Sequence, residues 1–241
     1  MRVVSGVGIL ALVTALAGAA ACGDSSGPGV GPVALLTNTV WVDYDTALIG
    51  SEASNMEYTI KFLTLTVRQV NANDSTSLAT AVGGAGVFVV PEEKNTDFTT
   101  TLTAGAKTVL RRFVEVNGGV LVVVPDSRGL ALLDTLFNYA IVGNFAGDSS
   151  RLNATAAAGT PFAGGPAVLP DNNGTYYIDP TTLPTGGKAV YRDTVNASAA
   201  VSYIPQGAGF VVLVGWDWYD AKPKGAQDNG WVEGLRRALN F

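Results

Sequence analysis

Acidic side chains follow four predicted strands, at the point where each strand ends. They are Asp43 and Asp45 after the first strand, Glu92 and Glu93 after the third, Asp126 after the fourth, and Asp217 and Asp220 after the last. In an open α/β sheet, ligands bind outside the carboxyl ends of the strands. These acids could coordinate a hard cation such as calcium or accept hydrogen bonds from sugar hydroxyl groups. The competing interpretation is that they only cap helices, and their spacing matches no EF-hand or repeat-type calcium pattern.

The densest aromatic segment is GWDWYDAKPKGAQDNGW, at residues 215–231. It places Trp216 and Trp218 beside Asp217 and Asp220, which together could stack on and hydrogen-bond a sugar ring. The alternative, which we favour, is that the tryptophans pack a long loop and the last helix onto the sheet.

Composition excludes several kinds of catalytic site. The chain has no histidine and one cysteine, so zinc hydrolases of the His type, Ser-His-Asp triads and Cys-His nucleophiles are excluded. Ser127 lies in the strand-to-helix turn Pro125, Asp126, Ser127, but a serine hydroxyl without a nearby imidazole is a poor nucleophile at neutral pH. We expect Asp126 or Ser127 to cap the following helix instead.

The N-terminus has the anatomy of a bacterial lipoprotein signal. Arg2 precedes an uncharged apolar stretch that ends in three alanines directly before Cys22, the only cysteine. This pattern resembles a lipobox, which implies cleavage before Cys22 and attachment of membrane lipid to its thiol. We therefore predict a signal peptide at residues 1–21 and a flexible tether at 22–32, because the latter is rich in glycine, serine and proline. Gly23, rather than aspartate, favours the outer membrane over the inner one.

The remaining chain, residues 33–241, is long enough for one compact domain. The full chain carries 15 basic and 20 acidic side chains; removing residues 1–21 takes away Arg2, which leaves 14 against 20, or −6. No basic stripe of the kind that neutralises phosphates is visible, so we do not expect nucleic acid as a partner.

Strand and helix patterns alternate along this domain, which predicts a parallel sheet with right-handed crossovers. The predicted strands are residues 39–45, 67–70, 86–90, 120–124 and 210–215, and the predicted helices are 51–65, 77–82, 103–117, 130–137 and 231–241. Residues 142–205 are rich in glycine, proline and polar residues, and we expect a loop-rich β insertion over one edge of the sheet.

This order of elements, with FVEVNGG, VLVVVP and GFVVLVGWDWYD at the later strands and helices, resembles the class I glutamine amidotransferase-like fold over residues 33–241. The resemblance implies a three-layer, doubly wound, mostly parallel, flavodoxin-like sheet. Catalytic members use a cysteine on a tight turn, activated by histidine. Here Ser127 stands at the nucleophile position, Pro125 replaces a glycine, and no histidine exists.

We therefore expect an extracytoplasmic, lipid-anchored module without catalytic activity, which binds a glycan, a small ligand or an envelope protein, or serves as an envelope scaffold. The alternative is a carboxylate-based hydrolase of carbohydrate or ester substrates. A third hypothesis is a calcium-stabilised structural domain. We expect no cofactor, with bound calcium as the alternative.

Overall fold

The computed structural model describes residues 33–36, 52–63, 65–70, 73–93, 97–145, 147–172, 174–218 and 230–239. The predicted signal peptide and tether with Cys22, the predicted strand at 39–45 with Asp43 and Asp45, and Asp220 lie outside the described residues. None of the helices in the described part of the chain combines the length and the apolar character needed to cross a bilayer.

The described residues form an α/β fold: one sheet of parallel and antiparallel strands with helices packed on it. The strands are β1 Val33–Leu36, β2 Val67–Val70, β3 Val87–Val90, β4 Val120–Val123, β5 Gly143–Asn144, β6 Ser150–Leu152, β7 Val168–Leu169, β8 Tyr177–Ile178, β9 Lys188–Asp193, β10 Ala199–Gln206 and β11 Gly209–Val214. The helices are α1 Glu52–Phe62, α2 Ser75–Val82, α3 Phe98–Thr101, α4 Ala104–Glu115, α5 Ser127–Phe137, α6 Ala154–Ala157 and α7 Trp231–Ala238, with a short 3-10 helix at Pro180–Thr182.

The core of the sheet is parallel. Its strands lie in the order β2, β1, β3, β4, β11, and each neighbouring pair is parallel. This is the order 2-1-3-4-5 of flavodoxin-like sheets, in which the connections reverse direction between the first and third strands. The carboxyl ends of all five strands therefore meet at one edge, which we call the C-terminal edge; the opposite edge is the N-terminal edge.

Helices cover both faces of this parallel core. Alternate side chains of β3 enter different layers: Val87 and Val89 pack with Met56 of α1 and with α7, whereas Phe88 and Val90 pack with α2, α4 and α5. All four residues of β3 are buried, and so are those of β4. A continuous apolar run is the sequence pattern of a strand buried on both faces, which explains why these strands could be predicted.

The predicted helix at 103–117 is confirmed as α4. Thr103 caps it by accepting a hydrogen bond from Ala106 N–H at 3.2 Å. Beyond its end, Gly118 has a φ of 73°, a conformation that glycine adopts at little cost. Gly119 is buried against the Phe113 ring, where an added Cβ would lie 2.4 Å from the ring. These glycines turn the chain directly into β4.

Two elements differ from the sequence prediction. The strand that pairs with β2 and β3 is β1, at Val33–Leu36, which precedes the predicted first strand at 39–45. A run of only four apolar residues, with no alternation of apolar and polar residues beside it, is too weak a local pattern to predict a strand. The short helix α3, Phe98–Thr101, was also not predicted, because one helical turn has no measurable periodicity.

Residues 142–205 extend the same sheet. β10, β9, β6 and β7 follow β11 in antiparallel pairs, and β8 pairs with β10 and with β5. β10 and β11 form a hairpin through Gly207, whose φ of 60° suits a tight turn. The segment was expected to lie over one sheet edge; its main strands instead continue the sheet sideways, because β10 satisfies the backbone groups of β11.

Candidate functional site

Three carboxylates meet at the C-terminal edge. Glu52 opens α1, Glu92 follows β3 and Asp217 follows β11, and one oxygen from each lies within 4.8 Å of the others. Glu52 is 1% exposed, whereas Glu92 and Asp217 are partly exposed. We call these three residues the carboxylate cluster. It lies at the edge of the sheet where α/β proteins bind their ligands.

Backbone contacts around β11 fix the position of Asp217. Asn55 of α1 donates a hydrogen bond to Trp218 O at 2.7 Å, and Asn172 donates one to Asp217 O at 3.2 Å. Gly174 is required beside the carboxylate, because a Cβ there would lie 2.2 Å from Asp217 Oδ2. Contacts from α1 and from the segment of Asn172 and Gly174 therefore hold the residues after β11 in place.

The carboxylate cluster offers oxygen ligands and negative charge. Calcium binds 6–8 oxygen ligands at about 2.3–2.6 Å, so three carboxylates would supply part of such a shell. Carboxylates also accept hydrogen bonds from hydroxyl groups of a ligand. Of the predicted site residues, Glu92 and Asp217 come together here. Glu52 was missed, although its place in the first turn of a predicted helix after a strand was a usable signal.

Glu93 has a different environment from Glu92. Its side chain is fully buried, and Oε2 accepts a hydrogen bond from Phe98 N–H at 2.8 Å, which fixes the start of α3. Burial raises the pKa of Glu93 to about 8; the charges of Asp126 and Asp97 act in the same direction, and Arg128 opposes them. Glu93 is thus an internal acid that connects β3 to α3.

Asp126 caps α5, as the capping interpretation predicted. Its Oδ1 accepts a hydrogen bond from Gly129 N–H at 2.6 Å, and its φ is −141°. Burial raises the pKa of Asp126, an effect that the bond from Gly129 N–H and the charge of Arg128 partly offset. Arg128 also donates a hydrogen bond to Glu93 O. The two buried acids are thus tied to the same helix start.

Ser127 is the exposed first residue of α5. A nucleophile elbow holds its serine in a strained strand-to-helix turn. Among the described residues other than glycine, only Asn138 and Ala197 have a positive φ, so Ser127 does not have this strain. The turn has the geometry of an ordinary capped helix.

The tryptophans of the aromatic segment are part of the core. Trp216 is 2% exposed, and Trp218 and Trp231 are fully buried. Trp216 stacks on Trp231 with ring centroids 5.2 Å apart, and Trp231 Nε1 donates a hydrogen bond to Pro170 O at 2.8 Å. These rings present no open face to a sugar, so the packing interpretation holds for them. Asp220 is outside the described residues.

A cavity of about 470 Å³ runs beside α5. Its lining includes Ser127, Leu130, Asp134, Tyr139, Ile141 and Tyr176. The mixture of apolar walls with a few polar groups is typical of sites for small ligands. No local sequence pattern marks this cavity, because its walls come from α5 and from segments near residues 140 and 176.

No protein-family model matches the sequence, and no curated protein matches it. Solved structures do resemble the fold. A ThuA-like protein from Bacteroides uniformis has a TM-score of 0.54 at 10% identity, over 89% of this chain and 93% of that one. Two cytoplasmic proteins from Salmonella typhimurium have TM-scores of 0.54 and 0.53, both at 10% identity, over 87% and 88% of this chain and 98% of each of theirs. At this identity the likeness shows a shared mixed α/β fold.

Proposed function

We propose that this chain is an exported bacterial lipoprotein whose folded part is a class I amidotransferase-like module without amidotransferase chemistry. It is held at a membrane by lipid on Cys22, and it binds a ligand at the C-terminal edge of its sheet. The lack of amidotransferase chemistry is inferred from the turn at Ser127, where the Asp126 side chain caps α5.

The composition of the chain supports the same conclusion. No histidine exists anywhere in the 241 residues, and Cys22 is the single thiol. An amidotransferase needs an activated nucleophile and a base to remove its proton. Ser127 lies at the start of a capped helix instead, and no imidazole is available to activate it, which supports a module without amidotransferase chemistry.

Binding is assigned to the carboxylate cluster, because Glu52, Glu92 and Asp217 converge at the ligand edge of the sheet. Their oxygens accept hydrogen bonds, so the ligands of choice are rich in hydroxyl groups, such as glycans. Calcium is the cation that suits an all-oxygen site of this kind, and it would be held by the same three residues.

The binding proposal is tested with a glycan array and with calcium and magnesium titrations on the purified protein. Glu92→Gln and Asp217→Asn should each weaken binding by about tenfold, since each removes one charged acceptor. Glu57→Gln is the matched control: it also removes one negative charge, but at the ion pair of α1 with Lys61, away from the cluster. Binding that is equal in all variants contradicts this site.

The anchor is tested by mass spectrometry of the N-terminal peptide from membranes of the producing cells. A diacylglycerol on Cys22 as the first residue is the expected result, and Cys22→Ala should release the protein from the membrane fraction. Separation of inner and outer membranes then tests the expected outer-membrane location. An unmodified Cys22 in the mature protein would contradict the anchor.

One observation favours a second candidate, a hydrolase of carbohydrate or ester substrates. Glu92 and Asp217 are both partly exposed, and their oxygens lie within 4.8 Å. Retaining glycosidases place two carboxyl groups about 5–5.5 Å apart. Turnover of aryl glycosides or aryl esters that is lost in Glu92→Gln and kept in Glu57→Gln would establish this alternative and reject the non-catalytic module.

A further inference from the structure

The two edges of the parallel core differ in charge. The C-terminal edge carries the carboxylate cluster together with Asp126 and the α3 cap Asp97. Helices α1 and α4 run back from this edge, and their last turns carry the basic residues Lys61 and Arg112. Arg111 and Arg112 are exposed. The basic residues therefore lie towards the N-terminal edge.

Exposed apolar side chains lie at the same N-terminal edge. Phe62 ends α1 and is 62% exposed, and Val116 follows α4 and is 58% exposed. Both precede the starts of strands, since β2 begins at Val67 and β4 at Val120. An edge that combines exposed apolar and basic side chains has the composition of a surface that contacts anionic lipid.

The position of the chain entry connects this edge to the proposed lipid anchor. β1 begins at Val33, which pairs with Val67 and Val87, the first residues of β2 and β3. The sheet is thus entered from the N-terminal edge. Residues 22–32 amount to 11 residues, which span at most about 40 Å when fully extended. A lipid on Cys22 would keep this edge close to the bilayer at high effective concentration.

We propose that the N-terminal edge, with Phe62, Val116, Arg111 and Arg112, docks on the anionic surface of the bilayer that holds the anchor. This inference rests on the proposed lipidation of Cys22. Phe62 and Val116 enter the headgroup region, and the arginines pair with lipid phosphates. Glu57, Glu115 and Asp134 offset part of the positive charge, so the tether and the apolar contacts supply the remaining attraction.

The orientation has a functional consequence. When the N-terminal edge contacts lipid, the carboxylate cluster faces away from the membrane, towards ligands that arrive from the other side. The acids at that edge strengthen this orientation, because anionic lipid repels them.

Hydroxyl-radical footprinting of the protein purified with its native N-terminus tests the orientation. Phe62 and Phe145 form a matched pair, at 62% and 60% exposure. Phe145 contacts Tyr176, whose N–H bonds to Gly215 O just beyond the end of β11, so Phe145 lies towards the C-terminal edge. On vesicles of phosphatidylethanolamine and phosphatidylglycerol, oxidation of Phe62 should fall about threefold and that of Phe145 should not change.

A charge variant and its control complete the experiment. Arg111→Glu with Arg112→Glu should remove the protection of Phe62, as should vesicles of phosphatidylcholine alone. Arg151→Glu with Lys188→Glu makes the same change of charge on the antiparallel half of the sheet and should leave the protection intact. Equal protection of Phe62 and Phe145, protection of Phe145 alone, or protection of Phe62 without vesicles through self-association would overturn the proposal.

Failure of the anchor is distinguished from failure of the docking surface. Mass spectrometry reports whether Cys22 carries lipid, independently of the footprint. If Cys22 is unmodified, its thiol is coupled to a maleimide-bearing phospholipid and the footprint is measured again. Protection of Phe62 in that preparation supports the surface while rejecting natural lipidation, and its absence rejects the surface.

Discussion

Because of Glu93, we expect the free energy of unfolding of this protein to depend on pH near neutrality. Its side chain is fully buried, it accepts a hydrogen bond from Phe98 N–H, and burial raises its pKa from 4.5 to about 8. The folded protein therefore holds this proton at pH values where the unfolded chain has released it. Because the unfolded state binds fewer protons, the free energy of unfolding falls as the pH rises from about 4.5 to about 8.

The size of this effect follows from the two pKa values. Between pH 4.5 and about 8, each pH unit lowers the free energy of unfolding by about 1.36 kcal/mol. Over the whole interval the decrease is at most roughly 5 kcal/mol. That is comparable with the net stability of a domain, about 5–15 kcal/mol. Burial also raises the pKa of Asp126, so this residue contributes to the same decrease in stability. Below pH 4.5 both states are protonated and the penalty is absent.

Glu93→Gln removes the titration and keeps the shape of the side chain. Its amide oxygen can accept the bond from Phe98 N–H, so the variant and the parent should have similar stability at pH 5. At pH 8 the variant should be more stable by up to about 5 kcal/mol, because it buries no charge. Urea unfolding followed by circular dichroism from pH 5 to pH 9 measures the difference.

Asp74→Asn serves as the control for this experiment. Hydrogen bonds from Ser77 lower the pKa of Asp74, so its contribution is lost only as the pH falls through the acidic range. Asparagine also caps helices well. The curve of this variant should run parallel to that of the parent between pH 5 and pH 9. If Glu93→Gln is parallel to the parent as well, Glu93 does not titrate in this range and the reasoning is refuted.

Three further changes test the packing around the site by urea unfolding. Asp126→Ala removes the cap of α5 and should cost about 1 kcal/mol, whereas Asp126→Asn should cost less; equal losses would contradict the cap. Trp231→Phe leaves Pro170 O without its donor and should cost about 2 kcal/mol, which a loss near zero would refute. Gly215→Ala places a Cβ 2.0 Å from Tyr176 O and should cost about 2 kcal/mol or more, and an unchanged midpoint would show that the backbone moves freely there.

The candidate site was predicted in part. Glu92 and Asp217 meet because the carboxyl ends of parallel strands share one edge, which is a consequence of topology that the sequence pattern already implied. Glu93 was predicted with them, but neighbouring residues that leave a strand point in different directions. Glu93 contacts the start of α3, an element too short to predict. Glu52 was missed, although it lies closest to the interior.

The parallel α/β core and the exclusion of imidazole chemistry follow from the amino-acid sequence alone. Buried runs such as VFVV and VLVV and the apolar face of α4 are local patterns, and the absence of histidine is a matter of composition. Tertiary contacts set three other features: β1 lies at Val33–Leu36, β10 and β9 continue the sheet beyond β11, and the three tryptophans of the aromatic segment are buried. These features depend on which distant segments pair and pack, and no local periodicity specifies such long-range contacts.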